Sequence, residues 1–232
     1  MEYFPVNLKI SGRHCVVIGG GRVAERKAKA LLSCGGLITV ISPELTSELA
    51  ALHRAGSLRW IDRHYRSGDL RQAFLVIAAT DDPEAQRIIA AEADEYNILL
   101  NVADVPKWCN FILPATVSRG DLTVSVSTGG KSPALARKLR RQLELQFGPE
   151  YEVLLIILGE VRTKVLKSER SQSDNKQIFE ALLHEDFLVW VCNHDWERID
   201  RHLHDILKDD FDQESMACLR DQFEGALSKR EC

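Results

Sequence analysis

Short apolar runs alternate with amphipathic helical patterns through the first hundred residues. The apolar runs predict buried strands at His14–Ile18, Leu37–Ile41, Leu58–Ile61, Phe74–Ala79 and Ile98–Val102. The intervening stretches predict helices at Val23–Cys34, Leu45–Ala55 and Glu84–Tyr96, the last capped by Asp82 with Pro83 in its first turn. Such alternation is typical of a parallel sheet covered by helices on both faces.

The pattern changes after Asn101. The segment FILPATVSRGDLTVSVSTGG predicts two strands around a turn at Arg119–Asp121, and Leu122–Val126 alternates apolar with polar residues. A helix follows, with Ser132 as its cap and Pro133 at its first position. This segment is interpreted as a β-hairpin followed by a helix.

From Tyr151 onward the pattern predicts helices only. Glu169–Lys176 is interpreted as a polar linker, and two or three amphipathic helices are expected after it. We therefore expect three regions: an α/β domain at 1–113, a hairpin-plus-helix dimerisation and substrate segment at 114–148, and an all-helical C-terminal tail at 149–232.

Composition narrows the possible environments and partners. The net charge of −4 argues against nucleic acid as the main partner. The six cysteines form no CxxC pair, and Cys15 and Cys34 lie in apolar stretches, so reduced thiols and a cytoplasmic location are expected. Neither a signal peptide nor a run long enough to span a membrane is indicated.

Three glycines follow the first predicted strand and lead into the first helix. Gly19 and Gly21 match the first two glycines of a GxGxxA pattern, and Ala24 matches its last position. One glycine makes the tight turn, the next lets the backbone approach a pyrophosphate, and the helix N-terminus offers free N–H groups. The pattern predicts a Rossmann-like nucleotide-binding domain.

The end of the second strand bears on the choice of dinucleotide. A ribose-binding carboxylate lies about 20 residues past the glycine turn in NAD sites. Ser42 occupies the strand end and Glu44 is the nearest acid, which favours NAD. Arg22, inside the turn, keeps NADP open, and Glu44 could instead be a first-turn helix acid.

Two further strand ends carry polar candidates, because ligands of such sheets lie beyond the carboxyl ends of the strands. Thr80 and Asp81 follow the fourth strand, either beside the cofactor or as a simple turn and helix cap. Asn101 and Asp104 follow the fifth. Asp104 is a candidate general base, partly enclosed by Val105, Trp108 and Phe111, or else a turn aspartate before Pro106.

The stretch TGGKSPALARKLRRQL, which leads from the hairpin into the following helix, is strongly basic. Its positive residues are Lys131, Arg137, Lys138, Arg140 and Arg141. The stretch from Thr128 through Gly129 to Ser132 combines glycines, a hydroxyl cap and a helix N-terminus, which together favour an anion. A solvated basic face or a dimer contact is the alternative.

Four motifs together resemble one known family. VVIGGGRVAERKAKALL, LVIAATDDPEAQ, NVADVPKWCNFILPA and VSVSTGGKSPALARKLR are similar, in order and spacing, to the siroheme synthase N-terminal family, over roughly the first 148 residues. The resemblance implies an NAD-dependent precorrin-2 dehydrogenase, in some members also a sirohydrochlorin ferrochelatase.

The resemblance also implies residue roles. Asp104 would serve dehydrogenation and, where present, chelation, and the nucleotide contacts would fall on Arg22, Val23, Pro43 and Glu44. The polycarboxylate substrate would be held by Thr128, Gly129, Lys131, Ser132 and Arg137. Further implications are a homodimer built from this region, ferrous iron as a second substrate without a dedicated metal site, and a serine modified in some relatives at the position of Thr128.

Two other readings of function stay open at this point. The chain could be a dehydrogenase alone, or a non-catalytic NAD-sensing module that uses its helical tail to contact a partner. Cys192, His194, His202 and His204 cluster in the tail, but their spacing favours surface residues over a metal site.

Overall fold

The structure, a computed structural model, describes residues 3–168, 170–208, 217 and 219–221. It divides into two compact units, residues 1–113 and 114–232. Whether the second unit divides again after residue 148 stays a prediction. Cys218 and Cys232 lie outside the described residues.

A parallel five-stranded sheet forms the centre of the first unit, with strand order β3-β2-β1-β4-β5. The strands are β1 His14–Ile18, β2 Leu37–Ile41, β3 Arg59–Ile61, β4 Leu75–Ala78 and β5 Leu99–Val102. Strand β4 is buried throughout and β1 almost so, because helices and loops cover both faces of the sheet. The predicted α/β fold class is confirmed.

Three helices connect these strands: α1 Arg22–Ser33, α2 Ser47–Arg54 and α3 Pro83–Glu95. Helices α1 and α2 bury Ala24 and Leu49 in one apolar cluster, and α3 buries Ile89 in another. The predicted start of α3 is confirmed, since the Asp82 carboxylate accepts the backbone N–H of Glu84 at 3.0 Å.

A buried carboxylate holds the segment after β3. Glu92 of α3 accepts the backbone N–H groups of Gly68 and Leu70, both at 2.9 Å, and the hydroxyl of Tyr65. Burial, and then the neighbouring Glu92, raise the pKa of Tyr65 far above its usual range. The tyrosine therefore stays a hydrogen-bond donor to Glu92.

The second unit begins with an antiparallel hairpin and continues as helices. Its elements are β6 Ala115–Arg119, β7 Leu122–Val126, α4 Pro133–Gln146, α5 Glu150–Lys167, α6 Gln172–Leu182, α7 Phe187–Cys192 and α8 Trp196–Leu207. The predicted alternation in β7 is confirmed, since Val124 is half-buried and its neighbours Thr123 and Ser125 are exposed.

Two expectations for particular segments are wrong. The polar stretch predicted as a linker becomes helical at Gln172, because Ser171 caps α6 by accepting the backbone N–H of Asp174. Cys34, expected to be a small hydrophobe, is exposed because it lies just past the last residue of α1, whereas Cys15 is fully buried. The cysteines that the structure describes are free thiols.

The histidines of the helical region are not all on the surface. His202 of α8 is half-buried against Trp190 and Phe187, with ring centroids 5.4 and 5.3 Å away, and next to His184 at 5.6 Å. Its neighbour His204 is exposed, as expected for helix positions two residues apart. Among the helices that the structure describes, none is long and apolar enough to cross a membrane.

The half-buried His202 predicts a pH-dependent stability. Burial lowers its pKa in the folded chain, against the raising effects of the hydrogen bond to the Leu182 carbonyl and of Asp205, so the unfolded chain binds a proton more readily. Above the unfolded value of 6.5 both states are neutral, and below it the free energy of unfolding should fall. Urea titrations at about pH 7.5 and about pH 5.5 measure this change.

The control for this prediction lies on the same helix. His202→Gln should weaken the pH dependence, whereas the exposed His204→Gln should leave it as in the native chain. Equal slopes in the native protein and His202→Gln would contradict the assignment.

Candidate functional site

Gly19 lets the turn after β1 lie against the end of β4. Its φ is +109°, and a Cβ built there would stand 2.3 Å from the carbonyl oxygen of Ala79. On the other side, its backbone N–H donates to the carbonyl of Ile41 at 2.9 Å. Only glycine fits this position, as expected for the first glycine of the pattern.

Gly20 makes an even closer approach that the pattern did not single out. A Cβ at this position would stand 1.7 Å from the carbonyl oxygen of Glu44, and the Gly20 carbonyl accepts the backbone N–H of Thr46 at 2.9 Å. The sequence signal for Gly20 was that the second position of the GxGxxA pattern, which any residue can occupy, is also a glycine.

Gly21 is different because the space above it is open. A Cβ there would meet no atom within 4 Å, and Arg22 and Val23 beside it are exposed. Within the described residues, no side chain caps the N-terminus of α1. Its first N–H groups are therefore available to an anion such as a pyrophosphate, and these residues fit a dinucleotide.

The segment after β2 lies beside this turn. Ser42 is buried: its hydroxyl accepts the backbone N–H of Glu44 at 3.4 Å, and its carbonyl accepts Trp60 Nε1 at 2.8 Å. Pro43 and Glu44 are exposed. The alternative interpretation of Glu44 as a first-turn helix acid is wrong, because α2 begins at Ser47.

The turn after β4 is ordered by a buried amide. Gln86 Nε2 donates to the carbonyl of Thr80 at 2.6 Å, and the Thr80 hydroxyl accepts the backbone N–H of Asp82 at 3.3 Å. Asp81 is exposed next to them. Asp82, not Asp81, is the helix cap, and Gln86 is a residue that the sequence patterns did not reveal.

Asp104 lies two residues past β5 in an unusual backbone conformation. Its φ is +60°, in the left-handed region that non-glycine residues rarely adopt. The prediction that neighbouring apolar residues of the first unit partly enclose the Asp104 carboxylate is wrong, because Asp104 is exposed. Val105 and Trp108 pack instead on one apolar cluster of the sheet, and Phe111 packs on the other. The aromatic rings cover the sheet instead of the carboxylate.

Asn101 has a different setting from the other candidates. Its Nδ2 donates to the carbonyl of Phe111 at 3.2 Å and approaches Cys109 Sγ at 3.7 Å. The amide is therefore bonded to the segment after β5. A contact between Asn101 and the cofactor stays a prediction.

The loop before α4, in the second unit, forms a second candidate site. Thr128 Oγ1 accepts the backbone N–H of Ser132 at 3.1 Å, and Ser132 caps α4 by accepting that of Leu135 at 3.3 Å. Gly129 and Gly130 have φ of +60° and +78°. The loop therefore leads tightly into the helix N-terminus.

The positive charges of α4 and of the loop before it are largely available to solvent. Lys131, Arg137, Lys138 and Arg141 are exposed. Arg140 is instead half-buried and paired with Glu144. In the described part of the chain, no three His, Cys, Asp or Glu side chains are grouped to hold a metal ion.

The open glycine turn at the carboxyl edge of a parallel sheet defines a dinucleotide-binding protein. Residues 6–115 match the family described as "Putative NAD(P)-binding", and residues 119–146 match the family described as "Sirohaem biosynthesis protein central". The predicted cofactor, NAD, is confirmed at the level of this NAD(P)-binding family.

Curated siroheme synthases are similar to this chain over parts of both units. The chain is 37% identical to siroheme synthase 1 of Aeromonas salmonicida over 81% of its length and 40% of the relative's, and 41% identical to siroheme synthase of Methylobacillus flagellatus over 77% and 38%. It thus spans about two fifths of the length of these curated relatives.

A solved structure covers more of the chain. The structure of SirC, precorrin-2 dehydrogenase, matches with a TM-score of 0.77 and 26% identity, over 89% of this chain and 100% of that one. These matches confirm the predicted resemblance to the siroheme synthase N-terminal family.

Gly20 and Gly21 should respond differently to an added methyl group. Gly20→Ala should lower the melting temperature by several degrees and abolish NADH binding, because its Cβ overlaps the Glu44 carbonyl. Gly21→Ala should keep the native melting temperature and weaken NADH binding about tenfold, because its methyl group meets only the bound pyrophosphate. Thermal melts and NADH fluorescence titrations measure both. Native NADH affinity in Gly21→Ala would exclude this turn as the pyrophosphate site.

Proposed function

We propose that the chain oxidises precorrin-2 to sirohydrochlorin with NAD⁺. The observation that carries the proposal is that one edge of the parallel sheet bears both the open glycine turn and Asp104. The siroheme synthase relatives and the precorrin-2 dehydrogenase structure support the choice of substrate.

The reaction removes two hydrogens from precorrin-2, one as a hydride and one as a proton. NAD⁺ supplies the hydride acceptor when bound. The chain's own part is to hold the pyrophosphate at the N-terminus of α1 and to accept the proton on Asp104. An exposed carboxylate suits this step because its proton can leave to water, and a positioned base contributes about 10²–10⁴-fold.

The substrate carries several carboxylates, and the second unit offers positive charge for them. Lys131 is exposed in the loop from Thr128 to Ser132, and Arg137 is exposed on α4, which follows this loop. Gly129 leaves the backbone accessible there, since a Cβ would meet nothing within 4 Å. We assign Thr128, Gly129, Lys131, Ser132 and Arg137 to substrate binding.

Other parts of the assignment stay predictions. These are a homodimer, a cytoplasmic location and insertion of ferrous iron into sirohydrochlorin, in which Asp104 would remove pyrrole protons. The competing functions are a dehydrogenase without chelatase activity and an NAD-sensing module without turnover. Anaerobic assays with precorrin-2, and with sirohydrochlorin plus ferrous iron, separate them.

Asp104 should be required for turnover but not for folding. Asp104→Asn should lower NADH formation from precorrin-2 and NAD⁺ about 100-fold, with native NADH affinity, because the amide cannot accept the proton. Asp104→Gly should lose the same activity while melting no lower than the native chain, because glycine adopts a φ of +60° without strain. Absorbance of NADH and thermal melts report these effects.

The control is Asp94→Asn, which changes an exposed carboxylate on α3. It should leave rate and stability unchanged. Full activity in Asp104→Asn would remove the base from the proposal but keep the dehydrogenase. NADH binding without any turnover by the native chain would favour the NAD-sensing module.

The basic residues Lys131, in the loop before α4, and Arg137, on α4, should act on substrate affinity. Lys131→Gln combined with Arg137→Gln should raise the KM for precorrin-2 about tenfold with a smaller change in kcat, and added salt should raise the native KM. The matched control, Lys176→Gln with Arg198→Gln, removes two exposed charges elsewhere in this unit. An equal rise of KM in both pairs would show that net charge alone matters.

A further inference from the structure

Side chains, instead of another strand, form hydrogen bonds with the outer side of β5, the last strand of the sheet, which leads to Asp104. Strand β5 is the last strand of the sheet, so one side of its backbone lacks a neighbouring strand. Unpaired edge groups cost stability when they are shielded from water. Every second residue along this side has its backbone N–H and carbonyl groups facing away from β4. These residues are Ile98, Leu100 and Val102.

Asn110 bonds the first part of this edge. Its Oδ1 accepts the backbone N–H of Leu100 at 2.8 Å, and its Nδ2 donates to the carbonyl of Ile98 at 2.7 Å. Its own backbone N–H donates to the carbonyl of Leu100 at 3.1 Å. The residue therefore takes the place of a neighbouring strand and fixes where the chain returns after the Asp104 turn.

Cys109 bonds the last part of the edge and the turn itself. Its Sγ accepts the backbone N–H of Val102 at 3.2 Å and lies 3.3 Å from the Val102 carbonyl and 3.5 Å from the Val105 carbonyl. Val102 and Val105 flank the turn that contains Asp104. One thiol thus contacts the backbone on both sides of the carboxylate.

Backbone bonds hold the turn on either side of Asp104: the Ala103 N–H donates to the Ala78 carbonyl at 2.8 Å, and the Val105 carbonyl accepts the Trp108 N–H at 3.2 Å. The direct bond across it, from the Val105 N–H to the Val102 carbonyl, is long at 3.4 Å, and Asp104 has the unfavourable φ of +60°. A strained conformation persists only when its surroundings hold it. The sulfur contacts and the Asn110 bonds add to these restraints.

We propose that Cys109 and Asn110 are positioning residues that hold Asp104 in its productive conformation. The proposal rests on the role of Asp104 in the proposed dehydrogenation. Neither side chain acts on substrate or cofactor: Cys109 acts through the backbone of the turn, and Asn110 acts through the backbone of the strand that leads into it. Their removal should therefore lower kcat and leave the binding of NADH unchanged.

The experiment compares variants that keep volume but change hydrogen bonding. Cys109→Val removes the sulfur contacts at similar size, and Cys109→Ser keeps a donor and an acceptor. We expect Cys109→Val to lower kcat about 10- to 100-fold with NADH affinity within about twofold of native, and Cys109→Ser to stay within about fivefold in kcat. Asn110→Asp, which loses the donor to Ile98, should behave like Cys109→Val.

A double-mutant cycle separates positioning from general support. In the Asp104→Asn background, Cys109→Val should change the residual rate by less than about twofold, because the base it positions is already gone. Equal factors in both backgrounds would overturn the proposal, as would native kcat in Cys109→Val and Asn110→Asp. Failure of both variants to fold would also overturn it, because the contacts would then be structural.

Failure of the proposed function has a different signature. A native chain that forms no NADH from precorrin-2 rejects the dehydrogenase itself. A native chain that is active, with Asp104→Asn equally active, rejects the base. If the native chain forms NADH and Asp104→Asn has lost this activity, the double-mutant cycle then tests whether Cys109 and Asn110 position Asp104.

Discussion

The first unit depends on how closely the backbone after β1 approaches its two neighbours. A methyl group at Gly19 would overlap the end of β4, and one at Gly20 would overlap the segment after β2. These approaches bring three chain segments together at the carboxyl edge of the sheet. The same packing leaves Gly21 without a neighbour, so the N-terminus of α1 opens to the outside and can receive a phosphate.

The pattern of apolar residues along the sequence explains why many strands and helices could be predicted. Strands β1 and β2 were predicted with their observed bounds, because a strand covered on both faces must be apolar along its length. The caps Asp82 and Ser132 were also predicted, since each is a short polar residue directly before a proline and a helix.

The errors arise where position in space decides what a residue does. Cys34 follows an apolar stretch but lies past the end of its helix, and His202 looks like a surface residue until helices α6 and α7 pack around it. Aromatic neighbours in sequence did not enclose Asp104, because their rings turn to the two faces of the sheet. Gln86 and Asn110 matter through bonds to backbone groups several residues away, which periodicity does not reveal.

The buried carboxylate of Glu92 has a consequence for cooperativity. The loop from Tyr65 to Leu70 lacks regular secondary structure, yet two of its amide protons are bonded to this side chain of α3. Opening the loop alone would leave the buried Glu92 carboxyl group without these donors, at a cost of about 1–3 kcal/mol. We therefore expect loop and helix to open as one unit, with the amide protons of Gly68 and Leu70 exchanging with solvent as slowly as those of the helix that holds them.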